Sequence, residues 1–129
     1  MKENLTEMPD LKNGGPTRIA SRTHRPTAIE LFCGAGGTSF GFASAGFDVR
    51  LGVDIDAAAL TTFATNHPDA VALEASVADR EQVNGDTLLR LSRLDAVDVL
   101  IGGPSCQGYS TIGKRIEQDP RNKLFVEYI

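Results

Sequence analysis

Cys106 sits within Gly102-Gly103-Pro104-Ser105-Cys106-Gln107-Gly108-Tyr109-Ser110, a glycine-rich turn that follows an apolar run at 96–101. A thiol on a turn at the carboxyl end of a strand faces the crevice where open α/β sheets bind ligands, and flanking glycines let a substrate approach the backbone closely. Cys106 is therefore a candidate nucleophile. A second constellation lies upstream. Phe32-Cys33-Gly34-Ala35-Gly36-Gly37 ends another apolar run and enters a helical pattern, so its backbone N–H groups can meet an anionic or polar ligand at a helix N-terminus. Asp54 follows Gly34 by 20 residues, at the end of the next apolar run. An acid there can accept hydrogen bonds from both hydroxyls of a ribose. A dinucleotide fingerprint needs G-x-G-x-x-G, but the sixth position counted from Gly34 is Ser39, so the pattern is G-x-G-G and NAD is disfavoured. A nucleoside cofactor without a pyrophosphate satisfies both features. S-adenosylmethionine is such a molecule, with its amino-acid portion over the glycines and its ribose at Asp54.

These residues must be held by alternating strands and helices. Residues 1–26 carry Pro9, Gly14, Gly15, Pro16 and Pro26 without sustained periodicity and read as a disordered leader. From Thr27 onward the rhythm is β-α-β, with strands at 28–33, 48–53, 71–73 and 97–101 and helices near 38–45, 57–65 and 87–93. Asp56 is a candidate N-cap for the second helix, Pro68 enforces its stop, and Leu60, Phe63 and Ala64 form its inward face. Gly85 interrupts the pattern before the third helix, and another helix begins at 122–129. Cys33 reads as a small buried hydrophobe, and His24 and His67 receive no role.

Composition narrows the classes. A chain of 129 residues is the size of one small domain, and no stretch approaches the roughly 18 apolar residues of a membrane span. A cytoplasmic location is expected. The two cysteines suit neither a disulfide scaffold nor a zinc site, so no metal is expected. The net charge of −4 gives no global signal for a polyanion partner.

Taken together, Glu30-Leu31-Phe32-Cys33-Gly34-Ala35-Gly36-Gly37, Gly52-Val53-Asp54-Ile55-Asp56 and the Cys106 loop resemble the DNA cytosine-5 methyltransferase family over residues 28–129. Asp119-Pro120-Arg121-Asn122-Lys123-Leu124 is similar to a further motif of that family. The resemblance implies a Rossmann-like S-adenosylmethionine-dependent α/β fold built on a doubly wound sheet, here incomplete, within 27–129. It assigns Phe32 to packing against the cofactor, Gly34, Gly36 and Gly37 to the loop under its methionine portion, and Asp54 to the ribose. Ile55 would contact the adenine, Ser76 and Val77 would follow the third strand at the adenine edge, and Leu124 would line the pocket.

The implied reaction is methylation of cytosine at C5 in double-stranded DNA, with the target base flipped out of the stack. C5 alone is too poor a nucleophile to attack a methyl donor. Addition of the Cys106 thiolate at C6 gives C5 enamine character; methyl capture, loss of the C5 proton and expulsion of sulfur then restore the ring. Gln107 belongs with Cys106 in the implied catalytic set. The polar loop at 108–121 resembles the family's closing loop, where Ser110, Lys114, Arg115 and Arg121 would meet the DNA backbone.

Two departures stand out. Ser105 occupies the position where the family has proline before the nucleophile, which frees φ and adds a backbone donor. Ser76 stands where the family commonly has an aspartate for the adenine amino group, leaving a weaker acceptor. The family's Glu-Asn-Val strand, arginine motif and target-recognition region are not among these residues. The sequence is accordingly read as an N-terminal fragment of a restriction-modification type enzyme, or one half of a split one needing a complementary C-terminal polypeptide, inactive alone. The alternatives are an RNA cytosine-5 methyltransferase and a non-catalytic S-adenosylmethionine-binding or partner-binding module.

Overall fold

The computed structural model describes residues 24–105. The described chain runs β1 (Thr27–Leu31), α1 (Gly37–Ser44), β2 (Asp48–Asp54), α2 (Ala57–Asn66), β3 (Val71–Glu74), α3 (Gly85–Ser92) and β4 (Val99–Gly102). The four strands form one parallel sheet in the order β3-β2-β1-β4. This is the α/β architecture that the β-α-β rhythm implies. Between β1 and β4 the winding reverses direction, and in open α/β sheets ligands bind outside the carboxyl ends of the strands at such a switch point.

The core is split by the sheet. Ile29 and Leu31 of β1 and Leu51 and Val53 of β2 pack with Ala75, Val77, Val83 and Leu88 on the α3 side. Ala28, Cys33 and Val49 pack with Leu60 and Phe63 of α2, and with Phe42 and Ala43 of α1, on the opposite side. Every residue of β1 is buried, as a central parallel strand covered on both faces requires. The alternation along β2 breaks once. Ala28 pairs with Val49 but Ile29 pairs with Leu51, so Arg50 is an extra residue in β2. Its guanidinium donates to the Ser92 carbonyl at 3.1 Å and pairs with Asp48 at 3.1 Å, tying the bulge to the end of α3.

Local chemistry sets the helix limits. Asp56 caps α2 by accepting the Ala58 and Ala59 amides at 2.9 and 3.1 Å. The helix stops at Asn66 because His67 precedes Pro68 and its backbone leaves the helical region, at φ −127° and ψ 67°. Phe63 and Leu60 point inward as the helical period predicts, but Ala64 is exposed, because the buried stripe turns toward His67 instead. The third helix starts earlier than its sequence suggests. Asn84 accepts the Thr87 amide at 2.9 Å, so Gly85 becomes the first helical residue rather than an interruption. The fourth strand runs Val99–Gly102 rather than from Val97. Asp98 takes the Thr27 amide at 2.7 Å and the Thr27 hydroxyl at 3.0 Å, which fixes the chain just before β4 against the start of β1.

Among the described residues, no helix is long and apolar enough to cross a membrane.

Candidate functional site

β1 and β4 end side by side, with Leu31 paired to Gly102. The turn after β1 starts with backbone in uncommon conformations. Phe32 has φ +59°, a left-handed value that is costly for an aromatic residue, and Gly34 and Gly36 follow at +51° and +88°. The Gly36 amide donates to the Cys33 carbonyl at 2.9 Å, closing the turn, and Gly36 caps α1. The glycine at 36 is enforced by packing as well as by φ. A Cβ there would lie 2.7 Å from Phe63 and 2.8 Å from His67. Gly37 has open space around it, and its amide has no partner among the described residues.

Asp54 ends β2 directly beside this turn. Its Oδ2 accepts the Gly34 amide at 2.8 Å and its Oδ1 accepts the Asp56 amide at 2.9 Å. An ionised carboxylate offers about four lone-pair sites. Two protein bonds therefore orient the group while leaving acceptor capacity for a ligand diol.

The structure brings Phe32, Asp54, Ile55, Ser76 and Val77 to one cleft, which Ala75 completes. The cleft holds about 280 Å³ of empty space, part of it open to solvent. Ile55 is 69% exposed, an apolar side chain at the mouth with no part in the core. Ala75 donates to the Asp54 carbonyl at 3.0 Å, which holds the segment after β3 against the acid. The Ser76 hydroxyl accepts the Ala78 amide at 3.2 Å, so part of its acceptor capacity is already used. A larger cleft of about 480 Å³, lined by Arg25, Asp48, His67 and Asp69 among others, lies where β2 and β3 begin, at the other end of the sheet.

Cys33 is buried beneath the turn. Burial, reinforced by the Asp54 and Glu30 carboxylates, pushes its thiol up to about 12. It stays protonated at neutral pH and is no nucleophile, in keeping with its reading as a small hydrophobe.

Three supporting residues escaped the sequence reading. Glu30 is buried on β1 and accepts both the amide, at 3.0 Å, and the hydroxyl of Ser39 in the first turn of α1. His67 is buried and reaches the Gly36 carbonyl through Nε2 at 3.1 Å. Glu30 and Ser39 carried a signal, being a polar pair nine residues apart across a glycine turn. His67 carried none, because its partner is a backbone carbonyl.

Cys106, Gln107, Ser110, Lys114, Arg115, Arg121 and Leu124 lie outside the described residues, as does the leader up to residue 23. β4 ends four residues before Cys106 in sequence.

The family model of the C-5 cytosine-specific DNA methylases matches residues 27–129. The chain is 44% identical over 102 residues to the type II methyltransferase M.AgeI of Thalassovita gelatinovora, covering 78% of this chain and 23% of that protein. It is 44% identical over 107 residues to M.XorII of Xanthomonas oryzae pv. oryzae, covering 81% and 24%. It thus spans about a quarter of the length of these curated relatives. Among solved structures, a DNA modification methyltransferase encoded within an E. coli prophage superposes with TM-score 0.66 at 36% identity, covering 80% of this chain and 27% of that one. The S. pombe Dnmt2 methyltransferase shares the fold, with TM-score 0.57 at 24% identity over 80% of this chain and 30% of that one. The fold is thus the Rossmann-like one of the methyltransferases, and the chain belongs to the C-5 cytosine-specific DNA methylase family.

Proposed function

We propose that this chain forms the cofactor-binding and nucleophile-bearing part of an S-adenosylmethionine-dependent DNA cytosine-5 methyltransferase of the restriction-modification type. The observation that carries the reading is the convergence of Phe32, Asp54, Ile55, Ser76 and Val77 on one cleft at the carboxyl ends of the strands.

The residues present fit the cofactor. Asp54, held by two amides, has acceptor capacity left for a ribose diol. Phe32, Ile55 and Val77 offer apolar surface for an adenine ring, with Ser76 at its edge. Gly34, Gly36 and Gly37 keep side chains away from the turn, and the Gly37 amide, which has no partner among the described residues, is available to donate to a carboxylate. When bound, S-adenosylmethionine supplies a methyl group activated by its sulfonium.

The thiolate of Cys106 attacks C6 of a flipped cytosine, forming a C–S bond and moving the C5–C6 electron pair onto C5. Gln107 adjoins it. After C5 is alkylated, loss of the C5 proton restores the double bond and the thiolate leaves. Ser110, Lys114, Arg115 and Arg121 supply donors to DNA phosphates, and Leu124 closes the cofactor pocket. The substrate is duplex DNA rather than RNA, a choice supported by the bacterial type II methyltransferases at 44% identity.

The test is covalent trapping by the whole enzyme of which this chain is proposed to form part, on duplex DNA carrying 5-fluorocytosine with S-adenosylmethionine present. Cys106→Ser is expected to abolish the trapped complex while S-adenosylhomocysteine affinity persists. Trapping by that variant removes Cys106 from the mechanism.

A further inference from the structure

We infer that His67 is a positioning residue for the cofactor, acting through the peptide unit between Gly36 and Gly37. The inference rests on the cofactor site proposed above and adds a residue to it. His67 is 7% exposed, sits just past the end of α2, and does not line the cleft that holds Asp54 and Ser76. Its ring lies tilted against Phe63, with centroids 4.8 Å apart. Its Nε2 is 3.1 Å from the Gly36 carbonyl oxygen. A carbonyl oxygen only accepts, so Nε2 carries the proton.

The same oxygen accepts the Phe40 amide at 2.9 Å, the first bond of α1. Both lone pairs of Gly36 O are therefore engaged from within the protein. The peptide unit is planar and trans, so its N–H points away from its C=O. Fixing the Gly36 oxygen inward turns the Gly37 N–H outward, and that N–H has no partner among the described residues. This peptide is the one most in need of an anchor. Both its residues are glycine, and nothing crowds Gly37 to resist rotation of the plane. The packing of Gly36 against His67 and Phe63 leaves the histidine within reach of this carbonyl and excludes a side chain from the gap. The geometry thus gives His67 control over a donor aimed at the ligand's amino-acid carboxylate, not at its nucleoside.

That distinction sets the experiment. Binding of S-adenosylhomocysteine and of 5′-methylthioadenosine, which lacks the amino-acid carboxylate, is measured by calorimetry on the full chain, for wild type, His67→Phe and His67→Gln. His67→Phe keeps the ring and removes the donor; His67→Gln keeps a donor and removes the ring. His67→Phe is expected to weaken S-adenosylhomocysteine about 10-fold, the size of one lost hydrogen bond to a charged group, while methylthioadenosine affinity changes less than about 2-fold. His67→Gln is expected to restore most of the loss. Equal weakening of both ligands, or of neither, overturns the inference. If His67→Phe does not fold, a His67→Gln chain that folds but loses S-adenosylhomocysteine selectively overturns it, and one that keeps both affinities supports it. Failure of the wild-type chain to bind either ligand overturns the cofactor site itself, a separate outcome.

Discussion

Asp54 and Gly34 are joined by a 2.8 Å hydrogen bond from the Gly34 amide to Oδ2, so the acid at the end of β2 also shapes the turn at the end of β1. Asp54→Ala removes this loop anchor together with the ligand acceptor of the proposed cofactor site. It is expected to weaken S-adenosylhomocysteine at least about 10-fold and to cost about 1–3 kcal/mol of stability, because the Gly34 amide loses its partner. Asp54→Asn keeps one acceptor and is expected to recover part of the stability but little of the affinity. Calorimetry and thermal melting separate the two effects.

The glycines of the turn are not equivalent. Gly36→Ala puts a methyl group 2.7 Å from Phe63 at a φ of +88° and is expected to destabilise the fold by about 2 kcal/mol or more. Gly37→Ala meets no atom within 4 Å, and is expected to fold normally and to act only on ligand affinity. Denaturant titrations of the two variants check the contrast; equal stability would contradict it.

Cys33 gives a pH signature. Its thiol is held up near 12 in the folded protein against an ordinary value of 9.0, so the folded state keeps a proton that the unfolded chain releases. The stabilisation from this group is complete below pH 9 and is lost as pH rises toward 12. Wild type is expected to lose stability faster than Cys33→Ala across that window. In a Cys106→Ser background, no thiol is expected to react with a maleimide at pH 7 until denaturant is added.

The buried pair of Glu30 and Ser39 joins β1 to the first turn of α1. Ser39→Ala leaves a buried carboxylate with one donor fewer and is expected to cost about 1–3 kcal/mol. Glu30→Gln retains an acceptor and is expected to cost less than Glu30→Ala. Urea unfolding midpoints rank the three.

Much of this was legible in the residues themselves. Apolar runs bounded by glycine and proline located the four strands among the described residues, and Asp56 and Pro68 located both ends of α2. Asp54 could be read from its place after a strand, whereas Phe32, Ile55, Ser76 and Val77 were assigned by the family resemblance; the structure gathers all five at one cleft. What stayed hidden depends on three-dimensional pairing. Asn84 reads as a polar linker residue until Thr87 donates to it. Ala64 has the helical spacing of a core position, but the space beside Phe63 is filled by His67 and Gly36. His67 matters through a backbone oxygen, and no side-chain pattern announces such a partner.

The extra residue in β2 decides a question of parity. Strand side chains alternate between faces, so one inserted position exchanges the two sides for everything after it. Val49 faces α2, while Leu51 and Val53, at the same odd spacing, face α3. Gly52 and Asp54 are thereby sent to the side of Cys33, Phe63 and the glycine turn. Were Arg50 paired as an ordinary strand residue, the aspartate would be offered to the opposite side of the sheet with its sequence context unchanged. The address of the acid is thus set four residues upstream of it, where the bulge takes Arg50 out of the alternation.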